Sequence, residues 1–490
     1  MTAGSERLVF AVSSMPESLD VLAVVDTTAQ EVFRLVYDGL VELDSQTKIV
    51  PNLAVRWEAS EDGLEWVFHI RRGAKFHDGS ALDAHDIKYT YDYLLNPENG
   101  HVTGRQLNYI NRTEARDDFT FVLHLAYPYP GVLYTLHTYI VPKPEPGGSL
   151  HFQPVGTGAY RFVSRDERKI VLEAFEGYHR VKPSIPSVVF RYLPSREAAW
   201  SALLRGEVDV VVDMSLSDYE LIKDNPKFTV HEYPLSYYYT LLLNNDDPIL
   251  QDPALRRAIV AAVDQTDLIH VALDDQAIVA KGPFGPTSAI HAARTDRDSD
   301  DVRTAIEHMA DLGWVDTDRD GIREKEGREL NFELIIDEGD PLKERVARRL
   351  RWQLFRIGVG VEIKKYSVAE YISEYLIPGA YQLSVLQFNA ATDAASGLTL
   401  FWHSGGIGRS NPARYRNDRV DGLIEAARRS FDPDFRDQSF REINEIMIED
   451  APAAFLFFRN HYIAASSRIV ITDGRMGSIF GGVRKWYIRE

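Results

Sequence analysis

The sequence predicts a mixed α/β protein built from two or three domains. Its 490 residues exceed what one hydrophobic core accommodates, because single cores stop growing beyond about 250–300 residues. Segments with alternating apolar residues, typical of strands, are interleaved along the chain with segments of helical periodicity. One stretch, 331–366, combines strand, helix and strand, which predicts two parallel strands joined by a covering helix.

The N-terminal elements follow from short apolar patterns. Residues 7–14 (RLVFAVSS) predict a buried opening strand, and residues 28–43 (TAQEVFRLVYDGLVEL) carry apolar side chains at helical spacing. Residues 65–73 (EWVFHIRRG) alternate as a half-buried strand does. Asp83 is a candidate N-cap for a helix within 81–95 (ALDAHDIKYTYDYLL).

The later elements are a strand at 331–337, a helix at 341–358 and a strand at 359–366. Apolar residues recur at four-residue steps in the helix and alternate in the last strand. The proline-rich stretch 141–158 and the polar stretch 244–253 interrupt regular structure, so we expect the chain to cross between domains there.

Composition excludes several classes of protein. Acidic residues outnumber basic ones by 73 to 55, and a net charge of −18 repels phosphate backbones, so nucleic acid is not an expected partner. The absence of cysteine excludes disulfides, thiolate metal sites and a cysteine nucleophile. No apolar run approaches the ~20 residues of a membrane-spanning helix, and the N-terminus has no basic segment followed by an apolar one.

The stretch DTDRDGIREKEG resembles the start of a calcium loop. Asp316, Asp318 and Asp320 stand at alternate positions, and Gly321 occupies the place of the sharp bend. The bidentate glutamate that closes such a loop is replaced by Gly327. The stretch also lies between a predicted helix and a predicted strand, not between two helices. A solvated turn is therefore the favoured interpretation, with a calcium ion as the alternative.

The chain lacks the motifs of common enzymes. It contains no GxSxG, no HExxH, no phosphate-binding P-loop and no complete GxGxxG. His77, in KFHDGS, stands beside a glycine turn, where a turn-capping role is more common than a catalytic one. We therefore predict that the protein is not an enzyme and needs no cofactor.

Aromatic residues are concentrated at 233–239 (YPLSYYY) and 401–404 (FWHS). If the first group lies in a strand, Tyr237 and Tyr239 share one face and Tyr238 points to the other. Each is expected to pack in a core with its hydroxyl hydrogen-bonded. The alternative is a ligand site, because clefts between domains are often lined by aromatic side chains.

Several collinear segments resemble the extracytoplasmic solute-binding proteins of peptide-type ABC transporters. The longest, 51–94, carries the pattern P-x-L-A-x-x-W, a DG turn and R-x-G-x-x-F-H-D-G. The matching residues are Pro51, Leu53, Ala54, Trp57, Asp62, Gly63, Arg71, Gly73, Phe76, His77, Asp78 and Gly79. Further segments follow in the family's order: 154–162 (with Ala159 where proline is usual), 176–193, 202–210, 241–269 and 309–330.

The resemblance implies a two-lobed periplasmic-binding-protein fold of the larger type II-like class, with an extra inserted domain and a hinge between the lobes. Lobe I would comprise residues 1–39, 153–239 and 458–490. The inserted smaller domain would span 40–152, and lobe II would span 240–457.

The implied function is that of the substrate-binding component of an ABC importer. Such a protein captures a small polar solute, most often a peptide, in a cleft that closes around it, and delivers it to a membrane permease. We expect an extracytoplasmic monomer, periplasmic or lipid-anchored, whose export signal is absent from the printed sequence. A cleft hydrolase and a cytosolic chaperone or scaffold remain alternatives.

The resemblance also suggests which residues line the cleft. In peptide-binding members a W-x-x-D pattern supplies an aspartate for the ligand's α-amino group. Here Phe388 stands near the tryptophan's place, Asn389, Ala390 and Ala391 follow it, and the only acid, Asp393, is displaced. A peptide then needs Asp393 or Glu17 for its ammonium, whereas a sugar or opine does not. The candidates are Ser13, Ser14, Met15, Glu17, Tyr237, Tyr238, Tyr239, Phe388, Asn389, Thr392, Asp393, Trp402 and Arg409, the last for a ligand carboxylate.

Overall fold

The chain folds into two compact units, as seen in a computed structural model. Unit 1 comprises Met1–Tyr233 and His461–Glu490, and unit 2 comprises Pro234–Asn460. The predicted lobe boundaries at 239/240 and 457/458 lie a few residues from these crossings. The structure describes residues 6–22, 26–44, 48–99, 107, 109–136, 138–144, 154–212, 214, 216–286, 288, 290, 302–390, 393–472 and 480–489.

Strands and helices alternate along both units. The strands are β1 Arg7–Val12, β2 Val41–Leu43, β3 Ile49–Pro51, β4 Ala54–Ala59, β5 Glu65–Ile70, β6 Ile110–Asp117, β7 Thr120–Leu125, β8 Tyr160–Arg165, β9 Lys169–Ala174, β10 Ser187–Tyr192, β11 Val210–Val212, β12 Phe228–Leu243, β13 Ala277–Val279, β14 Glu324–Lys325, β15 Arg328–Glu329, β16 Asn331–Asp337, β17 Gly360–Tyr366, β18 Leu383–Asn389, β19 Ala453–Ser466, β20 Ile469–Val470 and β21 Tyr487–Ile488.

The helices are α1 Thr27–Val36, α2 Ala84–Leu95, α3 Val132–Thr135, α4 Arg196–Leu204, α5 Leu216–Ile222, α6 Pro253–Ala261, α7 Gln265–Leu273, α8 Val302–Asp311, α9 Pro341–Phe355, α10 Val368–Glu370, α11 Ala394–Phe401, α12 Asp418–Arg429 and α13 Pro433–Asp450. Short 3₁₀ turns occur at Pro97–Asn99, Ser404–Gly406 and Phe480–Lys485, and a π-helical turn at Tyr371–Leu376. Within the described residues, no helix is long and apolar enough to cross a bilayer.

The main sheet of unit 1 has a parallel centre. β1 pairs in parallel with both β10 and β11, and β9 and β8 extend the sheet antiparallel beyond β10. The predicted opening strand is therefore confirmed. Because parallel strands run the same way, Val12, Tyr192 and Val212 end at one edge of this sheet.

The segment predicted as an inserted domain forms its own sheet, in the order β4-β5-β7-β6. Asp83 caps α2 through a reciprocal capping box with Asp86, as the sequence predicted for the cap. Buried side chains of this sheet, Phe68 of β5 among them, belong to the same hydrophobic cluster as Phe10 of β1.

The first helix is shorter than its apolar pattern predicted. It ends at Val36, because Tyr37 takes an extended conformation (φ −121°, ψ 155°). The prediction of a helix through residue 43 is wrong there, since Val41 begins a strand that pairs with β3. Leu40 is buried in the same core although it lies in a turn after the helix. The helical spacing of apolar residues therefore continues in the sequence beyond the end of the helix.

The sheet of unit 2 has the order β17-β16-β18-β12-β19. The predicted strand–helix–strand unit is confirmed: β16 and β17 pair in parallel and α9 lies between them in the chain. β18 is also parallel to β16, whereas β12 runs antiparallel to β18. Tyr239 and Tyr238 belong to different hydrophobic clusters, as the alternation of a strand predicts.

Both ring nitrogens of His77 are hydrogen-bonded to the backbone of the segment 156–158. Its Nδ1 accepts a hydrogen bond from the backbone N–H of Gly156 (3.3 Å), so the ring proton lies on Nε2, which donates to the carbonyl of Gly158 (3.0 Å). Burial lowers the pKa of His77 to about 4. The turn-capping interpretation fits these contacts, because both ring nitrogens are used by backbone.

His77→Ala is expected to destabilise the protein more at pH 7.5 than at pH 4.5. The unfolded histidine binds a proton near pH 6.5 and the folded one only near pH 4, so the stabilisation is complete above pH 6.5 and fades toward pH 4. Thermal unfolding at both pH values measures the difference.

The control is His270→Ala. His270 is exposed, and its hydrogen bond with Asp275 raises its pKa, so any contribution it makes weakens as the pH rises. An equal melting-temperature loss for His77→Ala at both pH values would contradict the neutral, loop-holding role.

Candidate functional site

Ligands of open parallel sheets bind beyond the carboxyl ends of the strands. Within the part of the chain that the structure describes, unit 1 and unit 2 each have an edge of this kind. In unit 1 it is formed by the ends of β1, β10 and β11. In unit 2 it is formed by the ends of β16, β17 and β18.

The loop after β1 places all four of its predicted residues at the edge of unit 1. Ser13, Ser14 and Glu17 are exposed, and Met15 is partly buried against the core. The Ser14 hydroxyl shares a hydrogen bond with that of Thr28 (3.1 Å), which ties the loop to the first helix.

Arg165 braces the same loop from β8. Its guanidinium donates to the carbonyl oxygens of Pro16 and Glu17, the latter at 3.2 Å. The Glu17 backbone is thus fixed while its side chain stays exposed. Tyr192, at the end of β10, lies opposite Val12 in register and is 36% exposed. Neither Arg165 nor Tyr192 was predicted from the sequence.

At the edge of unit 2, Tyr237 and Asn389 lie directly opposite each other on β12 and β18. Both side chains are exposed, Tyr237 by 44%. An aromatic ring beside an amide offers a stacking face together with donors and an acceptor. Of the predicted residues in this unit, these two are the exposed ones that the strands bring together.

Three other predicted residues form the layer behind. Tyr238, Phe388 and Trp402 are buried in one cluster, with the Phe388 and Trp402 ring centroids 5.4 Å apart. The Trp402 indole N–H donates to the Tyr238 hydroxyl oxygen (3.0 Å). They therefore support the edge from within the core, as the packing interpretation of the tyrosines predicted.

Tyr239 belongs to a group of polar residues around the start of α9. Its hydroxyl donates to Asp340 Oδ2 (2.8 Å), and burial followed by the charge of Asp340 raises the pKa of the Tyr239 phenol. Asp337 and Lys343 form a buried ion pair beside it. The positive charge of Arg459 partly offsets this rise in the pKa of Tyr239.

Asp393 is engaged in structure. Its Oδ1 accepts from Arg436 Nη2 (2.8 Å), and its Oδ2 accepts from the Ser396 amide (3.2 Å) and hydroxyl (2.7 Å), capping α11. The carboxylate is buried. Thr392 lies outside the described residues, and Arg409 is exposed in a loop, where it donates to the Gly405 carbonyl (3.4 Å).

The acidic turn lies between a helix and a strand, as predicted. Ligand atoms of Asp316, Asp318 and Glu324 lie within 4.8 Å of one another, whereas Asp320 is not part of that group. Asp316 accepts from the backbone N–H of Arg319 (2.7 Å) and of Gly321 (3.1 Å). Gly321 has φ +94°, the positive φ expected in such a turn.

Sequence patterns alone did not reveal Asp337, Asp340, Lys343 and Arg436. Asp337 ends the predicted strand at 331–337, and Asp340 and Lys343 come shortly after it, so the rule that ligands bind at carboxyl ends would have found them. Arg436 carries no local signal, because its partner stands far away in the chain.

Comparison with known proteins places this arrangement in a family. Residues 48–409 match the family model described as "Bacterial extracellular solute-binding proteins, family 5 Middle". The chain is 25% identical, over 97% of its length and 90% of the relative's, to the oligopeptide-binding protein AppA of Bacillus subtilis (strain 168).

Solved structures share the fold at lower identity. NikA from Brucella suis, in complex with Fe(III)-EDTA, superposes with a TM-score of 0.86 at 22% identity, over 99% of this chain and 100% of that one. AgaA (A.tumefacien R10), in complex with agropinic acid, gives 0.74 at 22% identity, over 99% of each chain. These likenesses confirm the predicted periplasmic-binding-protein fold.

Proposed function

The chain belongs to the bacterial extracellular solute-binding proteins of family 5, and from that premise we propose that it captures a small polar solute for an ABC importer. The solute induces closure of the two lobes, and the closed form docks on a membrane permease outside the cytoplasm. The family match across residues 48–409 carries this proposal.

Closure gives the protein a measurable signature. Moving a population from 1% to 99% closed requires differential binding of about 5.5 kcal/mol, which a solute supplies only by contacting both lobes. Small-angle scattering is therefore expected to show a smaller radius of gyration after the bound solute is restored to stripped protein. An unchanged radius with the solute bound would contradict capture by closure.

Two classes of solute are compatible with this function, peptides and non-peptide compounds. A peptide is the first candidate, because a relative that aligns along 97% of this chain is named an oligopeptide-binding protein. A non-peptide solute is the second, because Asp393, the displaced acid of the peptide pattern, is buried against Arg436. NikA and AgaA bind other kinds of compound on the same fold.

Catalysis is not part of the proposal. We propose that the solute leaves the protein unchanged, with no cofactor, and that the protein works as a monomer. A hydrolase would convert the recovered solute on prolonged incubation, and a binding protein would not.

Tyr237→Ala is expected to weaken binding of the co-purified solute by about 5- to 150-fold, since stacking on an aromatic ring contributes about 1–3 kcal/mol. Calorimetric titration of stripped protein measures the effect. Tyr487→Ala is the control, because Tyr487 is equally exposed (44%) but lies in β21 near the C-terminus. If Tyr237→Ala and Tyr487→Ala bind the solute with equal affinity, Tyr237 does not contact the solute.

A further inference from the structure

We infer that the part of the solute held by unit 2 is uncharged: it presents hydroxyl or amide groups to Tyr237 and Asn389, not an ammonium. The inference rests on the proposed function and narrows its ligand. A carbohydrate and an amino-terminally blocked peptide share this chemistry, and the experiment below separates them.

The exposed pair formed by Tyr237 and Asn389 carries no formal charge. Tyr237, within β12, forms a cross-strand pair with Asn389, the last residue of β18. The Asn389 amide both donates and accepts, and the phenol of Tyr237 does the same. Such groups satisfy hydroxyls and amides, but neither carries the charge that a desolvated cation requires.

Two of the nearby carboxylates already have cationic partners. Asp337 is buried in an ion pair with Lys343. Asp393 is buried in an ion pair with Arg436 at 2.8 Å. Because each charge is compensated inside the protein, neither acid is available to a ligand without breaking a buried pair.

The third carboxylate, Asp340, is already engaged by groups of the protein. It accepts a hydrogen bond from the Tyr239 hydroxyl (2.8 Å) and another from the backbone N–H of Leu342 (2.9 Å), which caps α9. A ligand ammonium would have to compete with these hydrogen bonds for the carboxylate.

Glu338, in the loop after β16, is an acid at this edge that is exposed to solvent. Its backbone N–H donates to the Tyr366 carbonyl (3.0 Å), which fixes the loop. A solvated carboxylate attracts a cation only weakly, because water and salt screen it. It supplies the control for the experiment.

An ammonium placed against Tyr237 and Asn389 would lose its water without gaining a counter-charge, which is costly. A hydroxyl or amide loses much less hydration free energy than an ammonium does. It recovers that loss through hydrogen bonds to Tyr237 and Asn389. The edge thus discriminates by charge, in favour of neutral groups.

The test uses the full chain, stripped of solute by unfolding and refolding, and three probes: an alanine tetrapeptide, its N-acetylated form and cellotetraose. Calorimetric titration is run on the wild type, Asn389→Asp and Glu338→Gln, with melting temperatures to confirm folding. The wild type is expected to bind the acetylated peptide or cellotetraose at least tenfold more tightly than the free-amine peptide. Binding of the acetylated peptide would identify the solute as an amino-terminally blocked peptide, and binding of cellotetraose would identify it as a carbohydrate.

Asn389→Asp supplies the missing charge and is expected to tighten binding of the free-amine peptide at least tenfold, whereas Glu338→Gln leaves it unchanged. A wild type that prefers the free amine, or an Asn389→Asp variant without this gain, would overturn the inference. Failure of the proposed function looks different: none of the three proteins binds any probe, and the purified chain carries no solute.

Discussion

Lys343→Met lowers the free energy of unfolding by about 3–5 kcal/mol, the expected cost of leaving a buried charge without its partner. Lys343 and Asp337 are both buried and form an ion pair at the start of α9. Methionine keeps the apolar stem but removes the ammonium, so the Asp337 carboxylate remains charged inside the protein. Urea unfolding followed by circular dichroism measures the loss.

The double variant Lys343→Met/Asp337→Leu separates charge from packing. Replacing both partners removes the stranded charge, so most of the lost stability is expected to return. Lys364→Met is the matched control, because its pair with Glu362 is exposed and solvent screening leaves such a pair little effect on stability. If Lys343→Met lowers the free energy of unfolding no more than Lys364→Met does, the Lys343–Asp337 pair does not stabilise the protein as a buried ion pair.

Trp402→Ala is expected to destabilise unit 2 by about 3–5 kcal/mol, the range for truncating a large buried aromatic side chain. The indole packs against Phe388 and Phe455, at centroid distances of 5.4 and 5.5 Å. Its loss also removes the donor to the buried Tyr238 hydroxyl, which adds to the cost. The same unfolding experiment measures this variant.

Trp352→Ala provides a control with the same chemical change. Trp352 lies on α9 and is 47% exposed, so its truncation is expected to cost less than about 1 kcal/mol. Equal losses for the two tryptophans would contradict the assignment of Trp402 to the core layer behind Tyr237 and Asn389.

Local patterns predicted much of the fold. The strand–helix–strand unit at 331–366 and the cap at Asp83 are seen as expected, because each depends on neighbouring residues. The helix through residue 43 failed because burial of Leu40 mimicked helical spacing from a turn. The end of that helix depends on how Tyr37 packs and turns, and no local pattern shows that.

The candidate site was harder to predict, since it depends on partners distant in the chain. The sequence showed that Asp393 was displaced from the peptide pattern, but not that Arg436 holds it in an ion pair. It grouped Tyr237 with Tyr238 and Tyr239, although exposure separates the first from the other two. The pairing of Tyr237 with Asn389 required the register of the strands.

We propose that this chain carries a small polar solute and does not convert it. Native mass spectrometry of the purified protein, followed by denaturation and identification of the released compound, tests this most directly. We expect one added mass per chain that disappears on denaturation, and a released compound that stays intact when incubated again with fresh protein. A chain that carries no solute and converts added peptides or sugars into products would contradict this proposal.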